Sequence, residues 1–288
     1  QNSPSYPGRY IKPLTERYHI TVANLETLIA RDCKFTQNKL YTFRGEPEHL
    51  QLLTYLNIRA VSLANNHIGD CGRQGMRATM RHLRDHSIAY GGLGPHGPLK
   101  ERQHIHSNVN GNKVTILAYG QKTLEQDRAT PDSLGAYYPK ADIVEQETKY
   151  WRRHSDILIA SVHWGTEYYD RPLGRQKKLA RRLIDWGADA VIGHHSHWFQ
   201  GIETYKDGVI IYSLGNFIFG SNSPYLRNGY IAGLICAGYQ LKRVEIYPIH
   251  TKNTLRHRFQ PMPLRGDQAQ WVLRHTGKLS RELGSQIH

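Results

Sequence analysis

The 288-residue chain carries 38 Lys and Arg against 24 Asp and Glu, a formal charge of +14, with 39% hydrophobic residues. That apolar content supports one large core or two small ones, but no stretch approaches the roughly 18 to 20 uninterrupted apolar residues of a membrane helix and none resembles a signal peptide, so the chain reads as a soluble domain. The charge favours anionic partners such as a polycarboxylate, a phosphorylated glycan, nucleic acid or an acidic membrane surface. Cys33, Cys71 and Cys236 are far apart and lack Cys-x-x-Cys spacing, which argues against a disulfide framework or a Cys-zinc site and makes Cys71 an inert small residue.

The elements alternate as in α/β units. Residues 18–23 form an apolar strand that leads into Asn24-Leu25-Glu26. A helix over 46–56 precedes a strand over 59–63, which ends in Ala64-Asn65-Asn66-His67-Ile68-Gly69-Asp70. A second helix covers 74–85, with Met76, Met80 and Leu83 on one face. His82 and His86 on that helix, and His104 and His106 further on, read as surface positions. Strand 114–118 and helix 142–152 lead to the buried strand 157–162, which delivers His163-Trp164-Gly165-Thr166-Glu167. Helix 175–186 opens with the basic run Arg175 to Arg182, read as a solvated face, and the apolar run 188–192 then ends in Gly193-His194-His195-Ser196-His197. From Phe199 onward short strands dominate (199–205, 209–212, 230–237 and 239–247), and a final helix spans 267–283.

Four strands thus each end in polar groups of metal-ligand or acid/base type. In open α/β sheets the loops beyond the carboxyl ends of strands are where ligands bind, so the four clusters are expected to converge. Neutral imidazole is the commonest ligand for a first-row transition metal, and two His one residue apart can turn both rings to one side of an extended segment. No zinc finger, phosphate-cradling Gly-rich loop or stacked-aromatic strand is present, so sequence-specific nucleic-acid binding is not expected.

The ordered set of motifs over roughly residues 18–247 resembles the capsule synthesis protein CapA, or poly-γ-glutamate synthesis, family, a branch of the calcineurin-like metallophosphoesterases. The resemblance rests on Asn24-Leu25-Glu26, on Ala64 to Gly72, on His163-Trp164-Gly165-x-Glu167-Tyr168, and on Gly193-His194-His195-x-His197. It continues in Gln200-Gly201-x-Glu203 and in Tyr212 to Phe217. It implies an α/β/β/α sandwich of two mixed β-sheets flanked by helices, with residues 1–250 as the family domain and 251–288 as a C-terminal extension whose helix packs on it. It also implies one or two divalent ions, Mn, Fe or Zn, held by Glu26, Asn66, His163, His195 and His197.

In the same reading His67 is the acid at the leaving oxygen, Asp70 and Glu167 orient imidazoles, and Asn24, Asn65, His194, Trp164, Glu203 and Asn216 are substrate contacts. The expected activity is that of a metal-dependent hydrolase acting on a phosphoester or amide of an anionic envelope polymer such as poly-γ-glutamate. The alternative is a non-catalytic subunit of a capsule-synthesis or export complex; envelope and cytoplasm both stay open as locations. The family's first motif, an Asp at the end of a first strand, has no counterpart among the 23 residues before Asn24, and the expectation is that this strand is missing from the chain.

Overall fold

The computed structural model describes residues 3–36, 39–95, 104–220, 228–253 and 259–286. The N-terminal third builds β1 (Thr21–Asn24), α1 (Leu50–Tyr55), β2 (Ile58–Ser62), α2 (Gly72–Asp85) and β3 (Ala89–Gly91). The middle builds β4 (Ile105–Val109), β5 (Asn112–Gly120), α3 (Ala141–Arg152), β6 (Ile157–His163), α4 (Gly174–Asp185), β7 (Ala190–His194), β8 (Ile202–Tyr205) and β9 (Gly208–Ile211). β10 (Gly229–Ala237), β11 (Gln240–His250), β12 (Met262–Pro263) and α5 (Gly266–Arg281) complete the chain.

The principal sheet has six strands in the order β8-β9-β7-β6-β5-β4. Its centre is parallel, and β8 and β4 join as antiparallel edges. Side chains alternate across it as a strand's period of two requires. Leu158, Ala160 and Val162 of β6 face α3 and α4, packing on Val144, Ala180 and Leu183. Ile157 and Ile159 face the other way, onto the rest of the sandwich. There they meet two smaller sheets: β1-β2-β3, wholly parallel, and β10-β11-β12, wholly antiparallel. Leu50 of α1 and Met76 and Leu83 of α2 cover the far side of the first of these, in one cluster with Ile58 and Val61. The α/β/β/α layering is as expected, with its second β layer in two pieces.

β1 and β10 are the terminal strands of those two pieces. A cavity of about 2130 Å³ is lined by both, and by Val114, Ile116, Ile159 and Ile192 of the principal sheet. The far edge of the principal sheet is closed differently. Ser280 Oγ on α5 accepts from Ile202 N–H and Ser285 Oγ from Thr204 N–H, both at 2.9 Å, so the C-terminal helix caps β8 with hydroxyls.

Two expectations are corrected. Cys71 is not an inert small residue, because it forms a disulfide with Cys33 (Cα separation 5.8 Å) that ties the segment after β1 to the start of α2. His104 is not a surface residue. Its ring is buried, with Nε2 3.3 Å from the Glu147 carboxylate, which also accepts from Tyr137 Oη–H at 2.9 Å.

The disulfide closes a loop with a sequence separation of 38, for which the chain-entropy model gives a stabilisation of up to about 4 kcal/mol. Cys71→Ser should therefore lower the urea midpoint, and reductant should shift the parent protein in the same direction while leaving the variant unmoved.

Candidate metal centre

Each arm of the site is positioned by the end of a strand. β1 pairs in parallel with β2, so the two deliver Asn24 and Ser62 side by side and the loops that follow them run together. Asn65 locks those loops. Its Oδ1 accepts from the N–H groups of His67 and Ile68, both at 3.1 Å, and its Nδ2 donates to Leu25 O at 2.9 Å. Asn24 Nδ2 in turn donates to Glu26 Oε2 at 3.0 Å.

The opposite arm comes from the principal sheet. His163 shares the parity of Ile157 and Ile159, so its ring faces inward across the sandwich, toward the β1 and β2 loops. Register sets His194 beside it on β7, but His194 stays in the strand and lies 3.2 Å from Ser161 Oγ. The chain then leaves the strand through His195 at φ 93° and His197 at φ 58°. Such values are uncommon outside glycine and cluster where function demands them. They bring His195 Nδ1 to 3.1 Å from His163 Nε2. Gly193 permits the close approach of β7 to its neighbours, since a Cβ there would stand 1.9 Å from Tyr212 O.

Four donor atoms therefore crowd together. His163 Nε2 lies 2.7 Å from Asn66 Oδ1, 3.1 Å from His195 Nδ1 and 3.5 Å from Glu26 Oε1. The ligand atoms of Glu26, His163 and His195 all fall within 4.8 Å of one another. One ring nitrogen carries at most one proton, so hydrogen bonding cannot satisfy these lone pairs together, and Glu26 Oε1 is buried with no hydrogen-bond partner. Burial pushes the Glu26 carboxyl up to about 8, against the lowering effect of Asn24, and pushes His195 down to about 3. A cation at the centre satisfies every one of these atoms. Donors around a four-coordinate ion at about 2.0–2.2 Å stand roughly 3.3 Å apart, so the residues fit a metal with little adjustment.

Beside this cluster His67 forms a second arrangement. Its Nδ1–H donates to Asp70 Oδ2 at 2.8 Å, and the same carboxylate takes Lys39 Nζ at 2.7 Å and Phe43 N–H at 2.7 Å. Burial alone would raise the Asp70 carboxyl, but His67, Lys39 and the Phe43 amide outweigh it and hold it below its usual value. Phe43 lies against the His67 ring at 4.3 Å between centroids, Phe219 stacks on His197 at 5.0 Å, and Tyr168 flanks His197 at 5.6 Å. An aromatic wall thus borders the cluster.

The expected residues divide accordingly. Glu26, Asn66, His163 and His195 come together, with His67 and Asp70 adjacent. His197 stands at the rim, its Nδ1 2.8 Å from Asn216 Oδ1, so Asn216 positions an imidazole. Glu167 is exposed and 4.0 Å from His195 Nε2. Three expected substrate contacts are corrected. Asn65 is fully buried and bound to backbone and to Asn24; Trp164 faces the helix side, donating to Tyr212 O at 3.1 Å; Glu203 is buried between Arg181 (2.7 Å) and Tyr212 Oη (2.6 Å). His194 meets Ser161 Oγ and also lines the cavity. Asn24 is committed to Glu26 and Asn65. Lys39, Phe43 and Phe219 escaped the sequence reading because they lie in segments without periodicity.

A model of the bacterial capsule synthesis protein PGA_cap matches residues 1–221. The chain belongs to that family. It is 29% identical over 222 residues to the capsule biosynthesis protein CapA of Bacillus anthracis, covering 74% of this chain and 54% of that protein. It is 27% identical over 260 residues to the PGA biosynthesis protein CapA of Bacillus subtilis (strain 168), covering 90% and 67%. The chain thus spans about half of the first relative's length. A hypothetical protein from Thermus thermophilus shares the fold, with a TM-score of 0.52 at 13% identity over 85% of this chain and 93% of that one.

Because Asp70 titrates below an ordinary Asp, its contacts stabilise the folded state at neutral pH, and that contribution is lost as pH falls below about 4. Asp70→Asn should lower stability at pH 7 by about 3 kcal/mol in urea titrations, the scale of breaking a buried charged pair. The gap between parent and variant should narrow as pH falls below about 4.

Proposed function

We propose that this chain carries the catalytic centre of a metal-dependent hydrolase serving the poly-γ-glutamate or capsule system to which its family is linked. The observation that carries the reading is the convergence of Glu26 Oε1, Asn66 Oδ1, His163 Nε2 and His195 Nδ1 from both β layers. Mixed nitrogen and oxygen donors suit Mn, Fe or Zn better than Mg or Ca. Such an ion, when bound, supplies Lewis acidity and a water of lowered pKa.

The remaining work falls to the chain. Asp70 fixes His67 with its proton on Nδ1, which leaves Nε2 to hold or deliver a proton at a leaving oxygen or nitrogen. Lys39 and the Phe43 amide bind the same Asp70 carboxylate and hold it in place against His67. Phe43, Phe219 and Tyr168 keep water from the flank of the cluster. Glu167, at the rim, orients His195 or the incoming substrate. The scissile bond is a phosphoester or the amide of a γ-linked glutamate polymer. A carboxylate-oriented imidazole beside a donor cluster supports the hydrolase reading over that of a purely structural subunit.

His195→Ala should abolish both bound metal, measured by elemental analysis of purified protein, and hydrolysis. His67→Ala should retain the metal and slow hydrolysis of phosphoester or poly-γ-glutamate substrates by roughly 100-fold or more. Equal metal loss in both variants would make His67 a ligand, and full activity in His67→Ala would remove the acid from the mechanism.

The charge of +14 supports a polyanionic substrate. On α4, Arg175, Lys178 and Arg182 are exposed, whereas Arg181 is committed to Glu203. Affinity for poly-γ-glutamate should fall by about tenfold or more between 50 and 300 mM salt, where the Debye length shrinks from roughly 14 to 6 Å. Substituting those three exposed residues with Gln should flatten the dependence if α4 is the docking face, and leave it unchanged if α4 is merely solvated.

A further inference from the structure

The outer face of α2 carries a basic ridge. Arg73, Arg77, Arg81 and Arg84 are all exposed, and at 3.6 residues per turn they fall within an arc of about 80°, turned away from the buried Met76, Thr79 and Leu83. At 1.5 Å per residue the ridge is on the order of 16 Å long. Arg73 is braced, its Nε donating to Leu134 O at 3.2 Å and its Nη2 to Ser133 Oγ at 3.3 Å, but among the described residues no carboxylate pairs with any of the four. Asp85, at the far end, is the only acid of the helix. The near end starts at the donor cluster: Arg73 follows Asp70, which orients His67, by three residues, and the Cys33–Cys71 bond anchors the start of the helix there. A further cation stands where the two arms of the centre meet. Gln121 N–H donates to His163 O at 2.8 Å and Thr123 Oγ1 lies 3.5 Å from Asn65 O, so Lys122 between them is fixed at the seam, half-buried and with no carboxylate partner among the described residues.

We propose that Lys122 and the ridge of Arg73, Arg77, Arg81 and Arg84 form the track on which an extended polycarboxylate chain lies as it enters the centre. Arginines four residues apart on one helix face repel one another, and a linear chain of carboxylates relieves that repulsion along the whole ridge at once. A membrane surface fits less well, because α2 exposes no apolar residue that could enter lipid. Nucleic acid fits less well too, because the ridge exposes no aromatic ring on which a base could stack. The second basic helix, α4, is the poorer approach to the centre. Between His163 and Arg175 the chain passes the exposed Glu167 and then Asp170, whereas between His67 and Arg73 the only acid is Asp70, buried and paired with Lys39. The inference rests on the reading that a polyanionic polymer is what the centre receives, and it assigns the surface that guides that polymer in.

The test is the affinity of the purified protein for fluorescent poly-γ-glutamate of about ten units, and for a fragment of about two units, read by anisotropy at about 50 mM salt, where exposed charges are weakly screened. Arg77→Gln, Arg81→Gln and Arg84→Gln together should weaken binding of the long chain by about tenfold or more, as expected of three exposed charge pairs, and leave the fragment within about twofold. Arg77→Lys, Arg81→Lys and Arg84→Lys together keep the charge and should retain most of the affinity, which a merely structural role of the arginines would not predict. If the triple Gln variant fails to fold, Arg77→Gln with Arg81→Gln carries the test. The Gln changes at Arg175, Lys178 and Arg182 of α4 should leave the long-chain affinity unmoved. Unchanged affinity in the α2 Gln variant, or an equal loss in the α4 variant, would overturn the track and leave the polymer reading in place. A parent protein that binds the long chain no better than the fragment would overturn both. Single-stranded DNA of equal charge, or anionic vesicles, held as tightly through the same arginines would give the ridge to that partner and overturn the proposal as well. Because the readout is binding alone, a protein that holds the polymer through α2 yet hydrolyses nothing would sink the hydrolase reading and support the track.

Discussion

A carboxyl group buried without a proton partner for one of its oxygens sets the terms for the rest of the site. Glu26 reaches that position because β1 ends at Asn24 and Asn24 holds its other oxygen, and burial then pushes its titration upward. Among the described residues none donates a hydrogen bond to that buried oxygen. The facing groups are an amide oxygen and two imidazole nitrogens, so the crowd of acceptors is stable only around a cation or at the cost of protonating Glu26. Both β layers must be in register for this to occur, because Glu26 and Asn66 come from one and His163 and His195 from the other. The sandwich and the donor cluster therefore stand or fall together.

The same division of labour runs through the neighbouring groups. Parallel pairing of β5, β6 and β7 places three carboxyl ends at one side, which is why imidazoles from separate strands meet there. Positive φ at His195 and His197 is the local cost of turning two rings back toward β6. Asn65, Asn216 and Asp70 hold the groups in place through main-chain or ring contacts and use their polar atoms in doing so. Residues of the same chemical type thus serve as donors at one position and as braces at the next.

Much of this was readable from the chain alone. The apolar runs announced the strands, and the polar groups at their ends announced the cluster, since period and spacing survive in one dimension. What failed was direction. Trp164 follows His163 and shares its motif, yet a strand's alternation sends it to the helix side; His194 and His195 are adjacent, and only the turn decides which leaves the sheet. Glu203 looks available until Arg181 and Tyr212 close on it from other elements. The Cys33–Cys71 bond and the tie between Lys39 and Asp70 depend on how an irregular segment folds back, and such a path has no periodic signature.

The capping of β8 by α5 bears on how copies of this protein can associate. With Ser280 and Ser285 engaged on the N–H groups of Ile202 and Thr204, that edge has no free donors at these positions for a neighbouring molecule. Gly201 lies close enough to the Leu279 backbone that a Cβ there would stand 2.9 Å from it, so the helix is seated tightly over the strand. Sheet-to-sheet growth of the principal sheet across β8 is blocked, and the C-terminal helix acts as a built-in stop against edge-on polymerisation.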